Sequence, residues 1–471
     1  MSSFQRLCRA AAAFFCMIFC VPRSGLSAPA TIAPFYSSAS PWEAQTVAAI
    51  DTPNTLLNNP GGLRSWLASQ GLTLSMDDEN EFGGNVTGGV RKAFDNTGQF
   101  AIILDADWGK IAGIRGLKTH FATVTRYGQN ASYGFGDTLD PSQQVFDGGG
   151  NAAFHLVLMD ADKTFLNDRL TVAVGRMGLL NDFNASKLNC TFMNNAICGE
   201  PKTSPDQPAN SVWPKAVWGL RLKYEFVPHW FVQTGVYAND QANNKTGWKF
   251  TTAETHGVAL PLEFEYDPRL GARRDLIGRI KLGMTYAHAT QADVLYDRDG
   301  GIAVLTGKPA RRDHPYPGMW FVYDQMLMRN GPKTDEGLML MLRFDHLDPA
   351  VSRRVDQYEI GLVDSGFWRA RPGDSAGIIF SATSVGGPWG EAQSIALAHG
   401  LRPPLGYRDQ IVPGIPYQVQ RFAEIAEATY RFDLGHGVLL APDFQYFWNV
   451  NGQRNIPNAV FLGGRLHVQV F

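Results

Sequence analysis

The sequence predicts an all-β protein, a transmembrane antiparallel β-barrel of the outer-membrane kind. Three observations carry this: successive segments alternate apolar and polar residues with period two, short turns alternate with long loops, and no apolar run is long enough for a helical span. Charged residues make up 18% of the chain, aromatics 12%, and glycine 49 of 471 positions, with a mean hydropathy of −0.17. That mixture excludes disordered, coiled-coil and collagen-like chains. Beyond residue 30, no unbroken run drawn from AVILMFWYC exceeds five residues, far short of the about 20 a membrane helix needs. A barrel raises no hydropathy peak, because alternation dilutes its apolar residues.

The elements follow in chain order. Residues 1–30 read as a secretory signal: Arg6 and Arg9 precede the apolar run Ala10 to Val21, and Ala28-Pro29-Ala30 has the A-x-A form of a cleavage site. Without it the chain carries 39 basic and 44 acidic residues, a net charge of −5, which gives no reason to expect a nucleic-acid partner. Residues 31–75 form an expected N-terminal periplasmic segment. Within it Leu63, Trp66 and Leu67 fall at helical spacing in Gly61 to Gln70, and Gly71 ends the pattern. The expected helix sits at the periplasmic mouth of a barrel built from residues 76–471.

The barrel strands are read from their period. Ala216, Trp218, Leu220, Leu222, Tyr224 and Phe226 alternate with Gly219, Arg221, Lys223 and Glu225. Val227-Pro228-His229 then turns the chain into Trp230 to Ala238, making a hairpin. Leu170, Val172 and Val174 mark another strand, as do Phe422 to Phe432, Val438 to Trp448 and a last strand around Val460 to Val470. A soluble β-sandwich would alternate too, but about 7 to 10 strands would suffice for one. Here the strands are more numerous, and their apolar faces carry Trp218, Tyr224, Trp230, Tyr430, Tyr446 and Trp448 toward the ends, where membrane barrels place interfacial girdles. Turns such as 227–229 and 433–437 are short. Segments 177–215, 239–275 and 385–420 are long and rich in Gly, Pro, Asn and Asp. The final Phe471 suits recognition by barrel-assembly machinery.

Cys8, Cys16 and Cys20 lie in the signal, so Cys190 and Cys198 are the mature pair and are expected to form a disulfide in an oxidising compartment. No two of the ten histidines lie within four positions of each other, and neither a metal site nor a cofactor is expected. Gly373-Asp374-Ser375-Ala376-Gly377 matches the G-x-S-x-G elbow of hydrolases, which requires a strand before the serine and a helix after it. A turn precedes it and the strand-like Ile378 to Thr383 follows, so catalysis is not expected at Ser375. Asp77-Asp78-Glu79 reads as a solvated turn or pore rim.

The motifs GGLRSWLASQGL (61–72), EFGGNVTGG (81–89), VTRYGQN (124–130), GRMGLLNDF (175–183), CTFMNNAICGEP (190–201), VWGLRLKYEFVPHWFVQTGVYAND (217–240) and YRFDLGHGVLLAPDFQYFWN (430–449) stand in an order and spacing that resembles the carbohydrate-selective porins of the OprB type. The resemblance covers nearly the whole mature chain. It implies a 16-stranded outer-membrane barrel conducting monosaccharides and small carbohydrates such as glucose, with lumen-facing charges and aromatics at a constriction. Two departures stand out: Asn58-Asn59-Pro60 replaces the family's acidic and aromatic lead-in, and Phe471 falls on the same face as Arg465, His467 and Gln469.

A neutral sugar gives up its water shell only where the wall offers donors and acceptors in exchange, and it must be held weakly enough to leave. Alternation turns Arg221, Lys223, Glu225, Glu427, Arg431, Asp443, Gln445 and Arg465 inward. The motif positions Glu81, Arg126, Arg176 and Asp182 are expected near the constriction, with Trp108 and Trp213 as stacking faces, and any of them could instead brace the wall as a structural ion pair. The expected partners are mono- and small oligosaccharides, outer-membrane lipid and the assembly machinery. A general or acid-selective diffusion porin shares every barrel feature and is the competing reading.

Overall fold

The computed structural model describes residues 55–471 apart from 146–152, 199–200, 202, 204–209, 240–245, 254 and 313–315. The expected signal at 1–30 lies outside the described residues. Nineteen strands follow one another: β1 (Leu72–Thr87), β2 (Phe94–Asp107), β3 (Leu117–Gly128), β4 (His155–Phe165), β5 (Leu170–Met177), β6 (Val217–Val227), β7 (Trp230–Ala238), β8 (Gly257–Tyr266), β9 (Arg269–Leu270), β10 (Leu276–Ala289), β11 (Ala292–Asp297), β12 (Ala310–Arg312), β13 (Tyr316–Arg329), β14 (Gly337–Leu347), β15 (Arg354–Ser365), β16 (Ser375–Val385), β17 (Phe422–Asp433), β18 (Val438–Trp448) and β19 (Ala459–Gln469). β11 and β12 form a separate hairpin, and β9 is a two-residue extension paired with β10. The rest make one closed antiparallel barrel of sixteen strands.

Closure comes from β1, which pairs with β2 on one side and with β19 on the other, Glu81 opposite Arg465. With no free edge left, every strand satisfies its backbone through its neighbours, as a span through lipid demands. Among the described residues no helix is long and apolar enough to cross a membrane; the strands make the crossing.

The two faces separate as the period demands. Leu220, Leu222, Leu260, Leu262, Phe264, Leu282, Met284, Ile360, Leu362, Ile378 and Phe380 point outward and are exposed. Glu263, Glu265, Arg279, Lys281, Asp324, Arg343, Glu359, Glu427, Asp443 and Arg465 point inward and are buried. Aromatic side chains gather at both rims. Trp230 stacks on Tyr266 at 4.2 Å and Tyr430 lies 4.5 Å from Phe432 near the short turns. At the other end Tyr446 packs 4.5 Å from Trp448, which meets Phe380 at 6.1 Å.

At the mouth with short turns, α1 (Leu63–Ser69) follows a 3-10 turn over Pro60–Gly62. Gly71 lies just beyond it at φ +80°, and a Cβ there would meet Asp107 O at 2.9 Å, so the stop is set by both conformation and space. The first barrel strand begins at Leu72, ahead of the boundary at residue 76 expected from sequence. Phe471 is buried, with the Arg64 guanidinium 5.5 Å above its ring. The out-of-phase aromatic therefore sits beneath α1 at the close of the chain.

Two of the expected long loops contain regular structure. Segment 239–275 includes the barrel strand β8, and segment 385–420 includes α2 (Gly387–Ala398).

Candidate functional site, a lumen crossed by an inner loop

The described residues of the segment between β5 and β6, numbers 178–216, fold into the barrel instead of away from it. Its first turn, Leu179–Asp182, is buried throughout. Leu179, Leu180 and Phe183 join Ala122, Val124, Leu158, Met177, Tyr237 and Trp320 of the wall in one apolar cluster. Burying a Leu or Phe side chain yields roughly 1.5–3 kcal/mol, and this drives the turn against the wall.

Polar contacts then carry the loop across the lumen. Arg221 of β6 pairs with Asp182, while the Gln233 amide of β7 donates to the Asp182 carbonyl at 3.0 Å. Asn184 N–H donates to Glu263 of β8 at 2.9 Å, the Asn184 amide donates to Asp345 of β14, and the Ser186 hydroxyl donates to Asp324 of β13 at 2.6 Å. Further on, Gln357 of β15 donates to Ala196 O at 2.7 Å, and the backbone N–H groups of Met193 and Asn194 donate to the Glu427 carboxylate of β17. Arg465 of β19 donates to Cys190 O at 2.8 Å and Phe192 O at 2.9 Å. The loop is thus tied to the wall on both sides of the barrel. Cys190 and Cys198 are bonded to each other within it.

Residues 129–145 fold in beside it. Val145 N–H donates to Glu81 at 2.9 Å, the Asn194 amide donates to Asp140 O at 3.1 Å, and the Thr383 hydroxyl donates to the Asp140 carboxylate at 2.8 Å. Burial first, and then the charge of Asp137, pushes the Asp140 carboxyl up to about 8.

The residues singled out from sequence divide into three groups. Asp182 and Arg221 meet, with the Tyr237 hydroxyl donating to the same Asp182 carboxylate at 3.3 Å. Glu81 accepts from Arg465 at 2.8 Å, and Arg126 and Trp213 both donate to Gln99 Oε1, at 3.1 and 3.4 Å. These are the lumen group. Arg176 is 0% exposed and donates to Lys249 O at 2.8 Å and Ala216 O at 2.6 Å, so it clasps two loops together.

Trp108 and Glu225 stand elsewhere. Trp108 opens a short helix after β2 and donates to Thr119 at 3.1 Å, and Glu225 accepts from His229 N–H at 3.0 Å in the β6–β7 turn. Glu225 obeys the inward alternation but lies at the end of its strand. Depth along the strand is what alternation does not report. Sequence reading also passed over Lys223, Arg279 and Lys281 as partners of Glu265 and Glu263, at 3.2, 3.0 and 3.3 Å. The alternation of β8 and β10, followed through Pro261 and Gly283, is the signal that could have found them.

The inner wall is therefore a field of interleaved acids and bases facing an inward loop, with no group of three or more His, Cys, Asp or Glu able to hold a metal among the described residues. At the serine elbow, Ser375 opens β16 opposite Arg431 and Ser365, with strand and not helix after it.

A model of the family described as "Carbohydrate-selective porin, OprB family" matches residues 91–470. The chain belongs to that family. As an OprB-family porin it is an outer-membrane channel for carbohydrate. It is 28% identical over 465 residues to Porin B of Pseudomonas aeruginosa, covering 95% of each chain, and 24% identical over 420 residues to the putative porin QuiX of Acinetobacter baylyi, covering 87% of this chain and 91% of that one. Among solved structures it superposes on the high-pH structure of Pseudomonas putida OprB with a TM-score of 0.80 at 27% identity, covering 88% of this chain and 98% of that one. Family and fold both point to a channel in place of an enzyme.

Proposed function

We propose that this porin passes monosaccharides and small oligosaccharides such as glucose by exchanging their hydration for paired donors and acceptors beside the inner loop. The observation that carries the reading is the pairing of opposite charges along the lumen: Arg221 with Asp182, Lys223 and Arg279 with Glu265, Lys281 with Glu263, and Arg465 with Glu81. A wall of one sign would select ions through its field. A wall of neutralised pairs leaves dipoles that suit hydroxyl groups, which both donate and accept. Asp182, Arg221, Glu81, Arg126 and Trp213 belong to this path, whereas Arg176 braces the loops and Trp108 and Glu225 serve the periplasmic turns. The outward apolar face meets outer-membrane lipid, and residues 1–30 direct export. No catalytic step is assigned, Ser375 being a wall residue.

Ion conductance of purified protein in a planar bilayer tests the proposal. Glucose should lower the conductance in a saturable way, and a neutral non-sugar solute of matched size should do so only through viscosity. Equal effects of both would favour a general diffusion porin.

A further inference from the structure

Arg343, on β14, is 3% exposed and faces the lumen, and none of its three guanidinium nitrogens has a hydrogen-bond partner among the described residues. Guanidinium is a donor-only group with five N–H bonds in a rigid fork, and buried donors left without acceptors are costly. Arg221, Lys223, Arg279, Lys281 and Arg465 on this wall are each matched by a carboxylate. Three carboxylates surround Arg343 on the same face. Glu359 stands directly opposite on β15, Asp345 follows two positions along the same strand, and Asp324 lies opposite Met341 on β13.

Each of those carboxylates is already held on one oxygen. The inner loop holds two, through Ser186 to Asp324 and Asn184 to Asp345, while Gln357 donates to Glu359 Oε1 at 2.8 Å. Asp324 Oδ1 and Glu359 Oε2 remain buried without a hydrogen-bond partner among the described residues. A fork of donors therefore stands among acceptors held in place by the inner loop and by Gln357.

We propose that Arg343 is the donor centre of a binding subsite for a neutral polyol, the guanidinium donating to two adjacent hydroxyl oxygens while Glu359 and Asp324 accept the hydroxyl protons. The proposal rests on the sugar-porin reading and deepens it. The mix of groups decides against an anionic solute: acidic side chains outnumber the one cation, and a vicinal diol, which both donates and accepts, meets both kinds of group at once. Only the fold shows that the N–H groups of Arg343 are left without acceptors among the described residues while one oxygen of each neighbouring acid is taken.

The test is sugar block of ion current through the full-length channel in planar bilayers, with glucose and gluconate as probes. Wild type should be blocked by glucose at lower concentration than by gluconate. Arg343→Gln should raise the half-blocking glucose concentration about tenfold or more, the loss expected for two charge-assisted hydrogen bonds. Arg343→Lys, which keeps charge but loses the fork, should recover only part of the block. If Arg343→Gln fails to form a heat-modifiable barrel, Glu359→Gln supplies the reading, with a smaller rise in the same direction expected. Wild-type glucose block in every variant that folds, or stronger block by gluconate than by glucose, would overturn the subsite. An absence of glucose block in wild type would instead strike the sugar-porin reading itself.

Discussion

Asp409 shows how a single side chain holds a loop over the barrel. Burial alone would raise its carboxyl, but Arg353 beside it, helped by Thr138, Gly406 N–H and Asn451, holds it below its ordinary value of 3.8. A carboxylate depressed in the folded state contributes stability that is complete above its unfolded value and is lost as the pH falls through the folded one. Protease cleavage within residues 386–421 should therefore accelerate below about pH 4, and Asp409→Asn should be cleaved readily at all pH values tested. An unchanged cleavage rate between pH 6 and pH 3 would contradict this role. The Asp182–Arg221 pair makes the matching case inside the lumen. Arg221→Met removes one partner and leaves a buried carboxylate, a change that costs about 3–5 kcal/mol in buried pairs. The inner turn should loosen, with a lower thermal midpoint and noisier single-channel current.

Elements were legible where one period ran unbroken. β6 and β7 emerge at Val217–Val227 and Trp230–Ala238, joined through the short turn expected from Val227-Pro228-His229. β8 was hidden because Pro261 sits in mid-strand. It lies on the inner face, with the Thr234 hydroxyl donating to its carbonyl at 2.8 Å, and Val258, Leu260, Leu262 and Phe264 keep the outward period through it. α2 was hidden for another reason. Pro388 and Gly390 resemble loop punctuation, and its buried Ala392, Gln393 and Ala396 form no apolar stripe. The face assignment can be checked by labelling: Lys223→Cys, on the lumen side, should react with a small hydrophilic thiol reagent, and Leu222→Cys, on the lipid side, should not. Comparable labelling at both would mean a sheet wetted on two sides. For the inner loop, peptide mapping without reductant should recover Cys190 linked to Cys198, and free thiols in exported protein would exclude the link.

At the scale of the whole molecule, alternation fixes which residues face inward but not which of them meet. Glu81 and Arg465 are separated by 384 positions and are brought together only by barrel closure. Asp182 and Arg221 meet because an apolar turn, Leu179 to Phe183, prefers the wall to solvent. Which inward groups meet is thus a property of topology and loop burial, which motif positions alone do not report. The central claim is that the narrowed lumen prefers neutral sugars, and swelling of liposomes containing the purified full chain tests it most directly. Glucose should enter faster than amino acids and faster than a neutral non-sugar solute of the same size. Entry rates ordered by solute size alone would contradict the claim.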